Sequence, residues 1–234
     1  MSSSRLDAII NLVPKCNIVA DIGTDHAYVP ISLIKRGIVK RCIASDLRKG
    51  PLNIACNNIV SNNMEKVIET RLGPGLDILE KDDEVDCIVI SGMGGTLIKN
   101  ILDEGKEKLS PKTLIIAQPN KYQNDVREWF YNNNYNIYKE KLVLEGKRMY
   151  NIICAVVENG TTYDVDPFKY YVGDKLKRDP LYGLYIKNML KKYKRALSAM
   201  DNMREKNSYL REKYEWLVEG LQSELNNFFK GDEF

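Results

Sequence analysis

The sequence predicts an α/β fold, a parallel sheet covered by helices and finished by an antiparallel hairpin, with a smaller α-helical domain after it. Three observations predict this. Short apolar β-favouring runs alternate with segments of helical periodicity from about residue 18 to residue 132. Two strand-like runs then follow each other across a connection short enough for a hairpin, and beyond residue 169 the chain becomes rich in Lys, Glu, Leu, Tyr and Asn. Alternating strands and helices of this length argue for a parallel sheet, because right-handed crossovers leave few other topologies.

In chain order, residues 5–13 space their apolar side chains along one face of a short helix that Pro14 stops. Strands are expected at 18–22, 41–45, 67–72, 87–91 and 113–118, with helices at 28–36, 52–60, 96–104 and 124–132. Gly37, Gly73, Gly105 and Pro111 mark joints between them. The runs 135–143 and 149–158 pair across 144–148 as an antiparallel hairpin. A parallel sheet ended in this way is the plan of the Rossmann-like methyltransferases, whereas a dehydrogenase continues with further βα units.

Residues 159–167 read as a linker and divide a domain over 1–160 from a second over 161–234. In the second, Leu190, Tyr193, Leu197 and Met200 form one apolar stripe at three- and four-residue spacing, and Leu210, Tyr214, Leu217 and Leu221 form another. Two helices paired through these stripes make a helical hairpin or short coiled coil, joined near 203–208. The same stripes leave a monomer or a weak dimer open.

Composition narrows the class. No apolar run approaches the ~20 residues of a membrane helix, and the opening Met-Ser-Ser-Ser-Arg has no signal-peptide core. A soluble, cytoplasmic protein is expected. Five scattered cysteines and the single histidine His26 do not make a zinc site, so no metal is expected. The net charge of +3 hides an asymmetry: residues 169–213 hold 13 Lys and Arg against 5 Asp and Glu, whereas residues 1–168 hold 21 against 22. Basic residues interleaved with Tyr170, Tyr171, Tyr182, Tyr185 and Tyr193 suit a polyanion partner. The alternative is a solvated helix face.

The candidate site lies where strands meet helices. The first strand ends in Asp21-Ile22-Gly23, a turn expected to leave backbone N–H groups free at the carboxyl edge of the sheet, where nucleotide-like ligands bind. Helix capping by Thr24 or Asp25 is the alternative there. Asp46 ends the second strand, where a carboxylate can accept both hydroxyls of an adenosine ribose. Gly73-Pro74-Gly75-Leu76-Asp77 offers backbone amides to an adenine edge, with capping of a following helix by Asp77 as the alternative role for that residue. Gly92-Met93-Gly94-Gly95 after the fourth strand lets a ligand approach the backbone closely. Gln118-Pro119-Asn120 after the fifth presents amide donors and acceptors to a planar heterocycle.

The set Asp-Ile-Gly-Thr-Asp-His-Ala-Tyr-Val-Pro at 21–30, Gly-Met-Gly-Gly at 92–95, Gln-Pro-Asn at 118–120 and Lys-Arg-Met-Tyr-Asn-Ile-Ile at 147–153 resembles the TrmK family, bacterial tRNA adenine-N1 methyltransferases that modify a D-loop adenosine. The likeness spans the whole chain. It implies a class I methyltransferase fold, S-adenosylmethionine as cofactor and tRNA as substrate. Typical members carry an acidic residue where Pro74 stands, so the Gly75 and Leu76 backbone must meet the cofactor adenine here. With such a cofactor, Asp21, Gly23, Asp46, Gly92, Met93 and Gly94 are expected at the cofactor and His26, Tyr28 and Asn120 at the reacting base, while Asp25 either holds the cofactor's amino group or faces that base. Gln118, Pro119 and the basic Lys191, Lys192, Lys194 and Arg195 then face tRNA.

Adenine N1 carries its lone pair at neutral pH, so the task is alignment, which can supply ~7–11 kcal/mol of barrier reduction. Asp25 or Asn120 would accept from the exocyclic amino group as positive charge develops, and Tyr28 or His26 would stack on the extruded base. Methylation of another RNA or of adenine N6 remains an alternative, although the Asn/Asp-Pro-Pro-aromatic string of N6 enzymes is missing. A catalytically silent, cofactor-binding RNA chaperone is the other.

Overall fold

A computed structural model describes residues 4–158, 163–201 and 208–231. The chain divides into two units, Met1–Val165 and Asp166–Phe234. The first is built on a seven-stranded sheet: β1 (Cys16–Ile22), β2 (Val39–Asp46), β3 (Ile68–Leu72), β4 (Cys87–Met93), β5 (Leu114–Pro119), β6 (Tyr135–Glu145) and β7 (Arg148–Val157). Their spatial order is β3-β2-β1-β4-β5-β7-β6. Strands β1 to β5 run parallel, and β7 is antiparallel to both β5 and β6. The hairpin expected from the sequence is present, but its second strand inserts next to β5. Only β7 is reversed.

Alternation along the strands explains the layers. Val19, Cys42, Ala44, Val89 and Ile116 point to one face, where α1 (Ser4–Ile10), α2 (Tyr28–Lys35) and α3 (Lys49–Ser61) pack. Ala20, Ile22, Ile43, Ile90 and Ala117 point to the other, against α4 (Gly95–Glu104) and α5 (Gln123–Asn132). Strands apolar on both faces are what a sheet covered on both sides demands. The first helix ends at Ile10, short of the expected residue 13, and Val13 reaches the core from the turn that follows. The order reverses between β1 and β4, so their carboxyl ends diverge and open a crevice.

One polar cluster interrupts this core. Arg127 of α5 donates from Nε to Glu140 Oε1 at 2.8 Å and from Nη2 to Asn151 Oδ1 at 2.9 Å, with both ionic side chains almost wholly buried. It ties α5 to both strands of the hairpin.

The second unit holds α6 (Pro167–Val172), α7 (Tyr182–Asp201) and α8 (Ser208–Gly231). Asp166 caps α6 by accepting from Phe168 N, with Pro167 at the first helical position. Helices α7 and α8 pair antiparallel, since Tyr182 meets Phe228, Tyr193 meets Tyr214 and Asp201 meets Arg211. The pairing buries Leu190, Tyr193, Met200, Leu217 and Leu221, as their spacing predicted. The expected join near 203–208 falls on residues 202–207, outside the described residues, as do 159–162 of the expected linker. Three of the five tyrosines expected to interleave with the basic surface are elsewhere: Tyr182, Tyr185 and Tyr193 lie in the core of this unit, while Tyr170 and Tyr171 are half-buried. Their rings fill the space between helices, which is where a large apolar surface is most stabilising. Among the described residues no helix is long and apolar enough to cross a membrane, and no group of three or more His, Cys, Asp and Glu could hold a metal ion.

Candidate functional site

A cavity of about 870 Å³ opens at the carboxyl ends of β1, β2 and β4. Its floor is Asp21, Ile22 and Gly23 from β1, Ser45 and Asp46 from β2, and Ser91, Gly92 and Met93 from β4. The turn after β3 adds Gly73, Pro74 and Gly75, and α4 adds Leu97, Ile101 and Glu104.

Two carboxylates stand in the floor. Asp21 is buried and accepts from Thr24 Oγ1 at 2.7 Å; burial pushes its carboxyl up to about 6, with the Thr24 hydroxyl opposing. Asp46, also buried, accepts through Oδ1 from Arg48 N at 2.9 Å, and its Oδ2 has no protein partner among the described residues. Next to Asp46 the Ser45 hydroxyl is buried with no hydrogen-bond partner among the described residues. An orphaned buried hydroxyl costs ~1–3 kcal/mol unless a ligand or water satisfies it.

The glycine turn is built differently from expectation. Gly23 N and Thr24 N both donate to Ser45 O, each at 2.8 Å, so these N–H groups are not free for a ligand. Gly23 has φ +75°, which folds the turn back over β2, and a Cβ there would stand 2.0 Å from Met93 Cε. The free amides are at the β3 turn instead. Gly75 and Leu76 backbone N–H groups have no partner among the described residues, while the Leu76 side chain is buried against Gly105 and does not line the cavity. Asp77 caps no helix: the helical turn that follows, Lys81–Asp83, is capped by Glu80, and the Asp77 N–H closes a turn onto Pro74 O at 3.1 Å.

Neither Thr24 nor Asp25 caps α2, whose N-cap is Ala27 without a side-chain bond. Asp25 and Ala27 both hold the left-handed conformation, φ +52° and +55°. Such residues cost on the order of 1–3 kcal/mol and cluster at ligand sites. Asp25 Oδ2 lies 3.4 Å from His26 Nε2, and the His26 and Tyr28 rings stack at 5.2 Å with 16° between planes. All three line the cavity, with Tyr28 55% exposed.

The glycines after β4 do separate jobs. Gly92 bulges from the β4–β5 ladder at φ +81°, Gly94 is open, and Gly95 packs against the next loop: its N–H reaches Lys121 O at 2.7 Å, and a Cβ would stand 2.0 Å from Tyr122 O. Asn120 sits across from this bulge at the rim. It donates from Nδ2 to Gly92 O at 2.6 Å and from N to Met93 O at 2.7 Å. Gln118 and Pro119 are buried in β5 and, like Gly94, do not line the cavity.

Arg5, Arg148 and Tyr150 complete the rim, and sequence reasoning had given none of them a role. Arg148 and Tyr150 belong to the 147–153 string, which was the available signal. Arg5 lies on α1, far in sequence from every other site residue. Lys191, Lys194 and Arg195 line a shallow groove on α7 with Lys187, Leu190 and Ser198. Lys192 turns aside, its ammonium 5.1 Å from the Tyr193 ring centroid.

Comparison with known proteins agrees with this geometry. Residues 2–153 match the family model described as a methyltransferase domain. The tRNA (adenine(22)-N(1))-methyltransferase of Bacillus subtilis is 35% identical over 153 residues, 65% of this chain and 64% of its own length. The chain therefore spans somewhat under two thirds of that curated relative. Over whole chains, Mycoplasma capricolum TrmK solved with S-adenosyl-homocysteine superposes with TM-score 0.82 and 27% identity, covering 97% of this chain and 98% of the other. Bacillus subtilis TrmK superposes with TM-score 0.79 and 25% identity, covering 98% of each.

Proposed function

This chain belongs to the TrmK family of methyltransferases, and we propose that it transfers a methyl group from S-adenosylmethionine to N1 of an adenosine in the D-loop region of tRNA, in the cytoplasm. The observation that carries this reading is the division of the cavity into a buried acidic floor and a separate rim of aromatic, amide and cationic groups.

The floor fits the cofactor. Asp46 Oδ2 is free to accept from ribose hydroxyls, Gly75 and Leu76 N–H groups to meet the adenine edge, and the orphaned Ser45 hydroxyl to take a polar partner. Asp21, Gly23, Gly92 and Met93 surround the remaining length. When bound, S-adenosylmethionine supplies an electrophilic methyl group on a sulfonium. The chain's own work is to place N1 of the base against it in line and to keep water out.

At the rim, Tyr28 and His26 offer a ready-stacked aromatic platform for an extruded base. Methylation moves positive charge onto the purine, and an oxygen accepting from its exocyclic amino group stabilises that charge. That Asn120 and Asp25 both line the cavity supports Asn120 Oδ1 or the Asp25 carboxylate in this role. Lys191, Lys194 and Arg195 carry no ion pair among the described residues, which leaves their charge for tRNA phosphates.

The test uses the full chain, an unmodified tRNA transcript and methyl-labelled S-adenosylmethionine, with digestion to nucleosides. Label in 1-methyladenosine is expected. Label in N6-methyladenosine, or tRNA binding without any transfer, overturns the reading.

A further inference from the structure

A chain of three polar side chains runs from α1 to the rim. Arg5 Nη1 donates to Gln118 Oε1 at 2.6 Å, Gln118 Nε2 donates to Asn120 Oδ1 at 3.1 Å, and Asn120 Nδ2 donates to Gly92 O at 2.6 Å. Its two ends are chemically one-way. A guanidinium can only donate, so the Gln118 atom facing Arg5 must be the oxygen; a carbonyl can only accept, so the Asn120 atom facing Gly92 must be the nitrogen. Each end alone dictates the orientation of both amides, and the two dictate the same one.

Gln118 is fully buried, so a reversed amide would meet no water to satisfy it. Arg5 is itself held: its guanidinium carbon lies 5.4 Å from the Tyr150 ring centroid, and Glu145 Oε1 accepts from Ser4 Oγ and Arg5 N at the start of α1. What the cavity meets is Asn120 with one Oδ1 lone pair used by Gln118 and one remaining. Without Arg5 the orientation of both amides rests on the single bond to Gly92 O.

We propose that Arg5, acting through Gln118, is a positioning residue that locks Asn120 with its oxygen as acceptor and so selects a purine bearing an amino group beside the methylated ring nitrogen. The proposal rests on the reading of the site as an adenine-N1 methyltransferase. It reassigns Gln118 from a tRNA contact to the middle link of this relay.

The experiment compares two tRNA substrates, one with adenosine at the target position and one with purine riboside, which keeps N1 but lacks the amino group. The wild-type chain should methylate adenosine faster by about tenfold, the value of one hydrogen bond of ~1.4 kcal/mol. Arg5→Met should slow adenosine turnover and narrow the preference to about threefold, with cofactor affinity by calorimetry near wild type, because one of the two bonds that fix the amide polarity is lost and Gly92 O keeps the other. Arg5→Lys, still a donor only, should restore most of the preference. Gln118→Glu keeps the bond to Arg5 but sets an acceptor against Asn120 Oδ1, in conflict with the orientation Gly92 O dictates, and should lower the preference at least as far as Arg5→Met does, which covers a failure of Arg5→Met to fold. An active wild type whose preference persists unchanged in Arg5→Met or Gln118→Glu overturns the relay alone. A wild type inactive on the adenosine substrate overturns the methyltransferase reading and the relay with it.

Discussion

Thr24 donates its hydroxyl to Asp21 across 2.7 Å, and the bond only partly offsets what burial does to that carboxyl, which stands at about 6 against an ordinary 3.8. The folded chain therefore holds this proton more tightly than the unfolded chain. Its contribution to stability is fully present below about pH 4 and is lost as pH rises through about 6, a difference of roughly 3 kcal/mol. Asp21→Asn removes the charge and keeps an acceptor for Thr24. The cofactor-free variant should melt higher than wild type at pH 8 and equal to it below pH 4, checked by calorimetric melts across that range. Equal melting at pH 8 would mean the buried charge is not penalised.

Asp46 offers a separate expectation, because its Oδ2 lacks a protein partner while its Oδ1 holds the Arg48 N–H. Asp46→Ala should weaken S-adenosylmethionine by about tenfold to a hundredfold, the loss of one or two charge-assisted hydrogen bonds of ~1.5–3 kcal/mol each being shared with water. The tRNA affinity should stay nearly unchanged. Titration calorimetry with each ligand separates the two, and an unaltered cofactor affinity would remove Asp46 from the ribose.

Gly94 and Gly95 are adjacent yet should respond oppositely to the same change. A methyl group at Gly94 meets nothing within 4 Å, whereas at Gly95 it would stand 2.0 Å from Tyr122 O. Gly94→Ala should leave the melting temperature within a degree or so, as open surface sites usually do, with changes under ~0.5 kcal/mol. Gly95→Ala must push α4 away from the loop before α5 and should cost on the order of 1–3 kcal/mol. Chemical denaturation of both variants measures this, and equal stability would contradict the close packing.

The sheet was legible because its signal is local. Each strand is an apolar run such as 18–22 or 87–91, bounded by Gly or Pro, and period and punctuation survive without any knowledge of neighbours. The floor of the site was legible for the same reason, since Asp21, Asp46 and the glycines sit at strand ends. What escaped depends on partners distant in sequence. Arg5 reads as one residue of an amphipathic helix, and only the fold sets it 2.6 Å from Gln118. Arg127 carries no local signal of burial, which follows from Glu140 and Asn151 on the hairpin. The turn at Gly23 misled because its positive φ sends both N–H groups to Ser45 of the neighbouring strand, a choice no local pattern records.

The last expectation concerns the basic groove on α7. Lys191, Lys194 and Arg195 line it with apolar Leu190 in their midst, and among the described residues Lys194 is the only one of the three with a side-chain bond, to Gln222 Oε1 at 3.3 Å. If these charges sit on tRNA phosphates, replacing all three by Gln should weaken tRNA binding most at low salt. The slope of log affinity against log salt should fall by about two to three, since each phosphate contact carries ~0.7–0.9. Cofactor affinity should not change, as none of the three lines the cofactor cavity. Filter binding across a salt series measures the slope. An unchanged slope with weaker affinity would assign these residues to packing, and an unchanged slope with unchanged affinity would place the tRNA on another face.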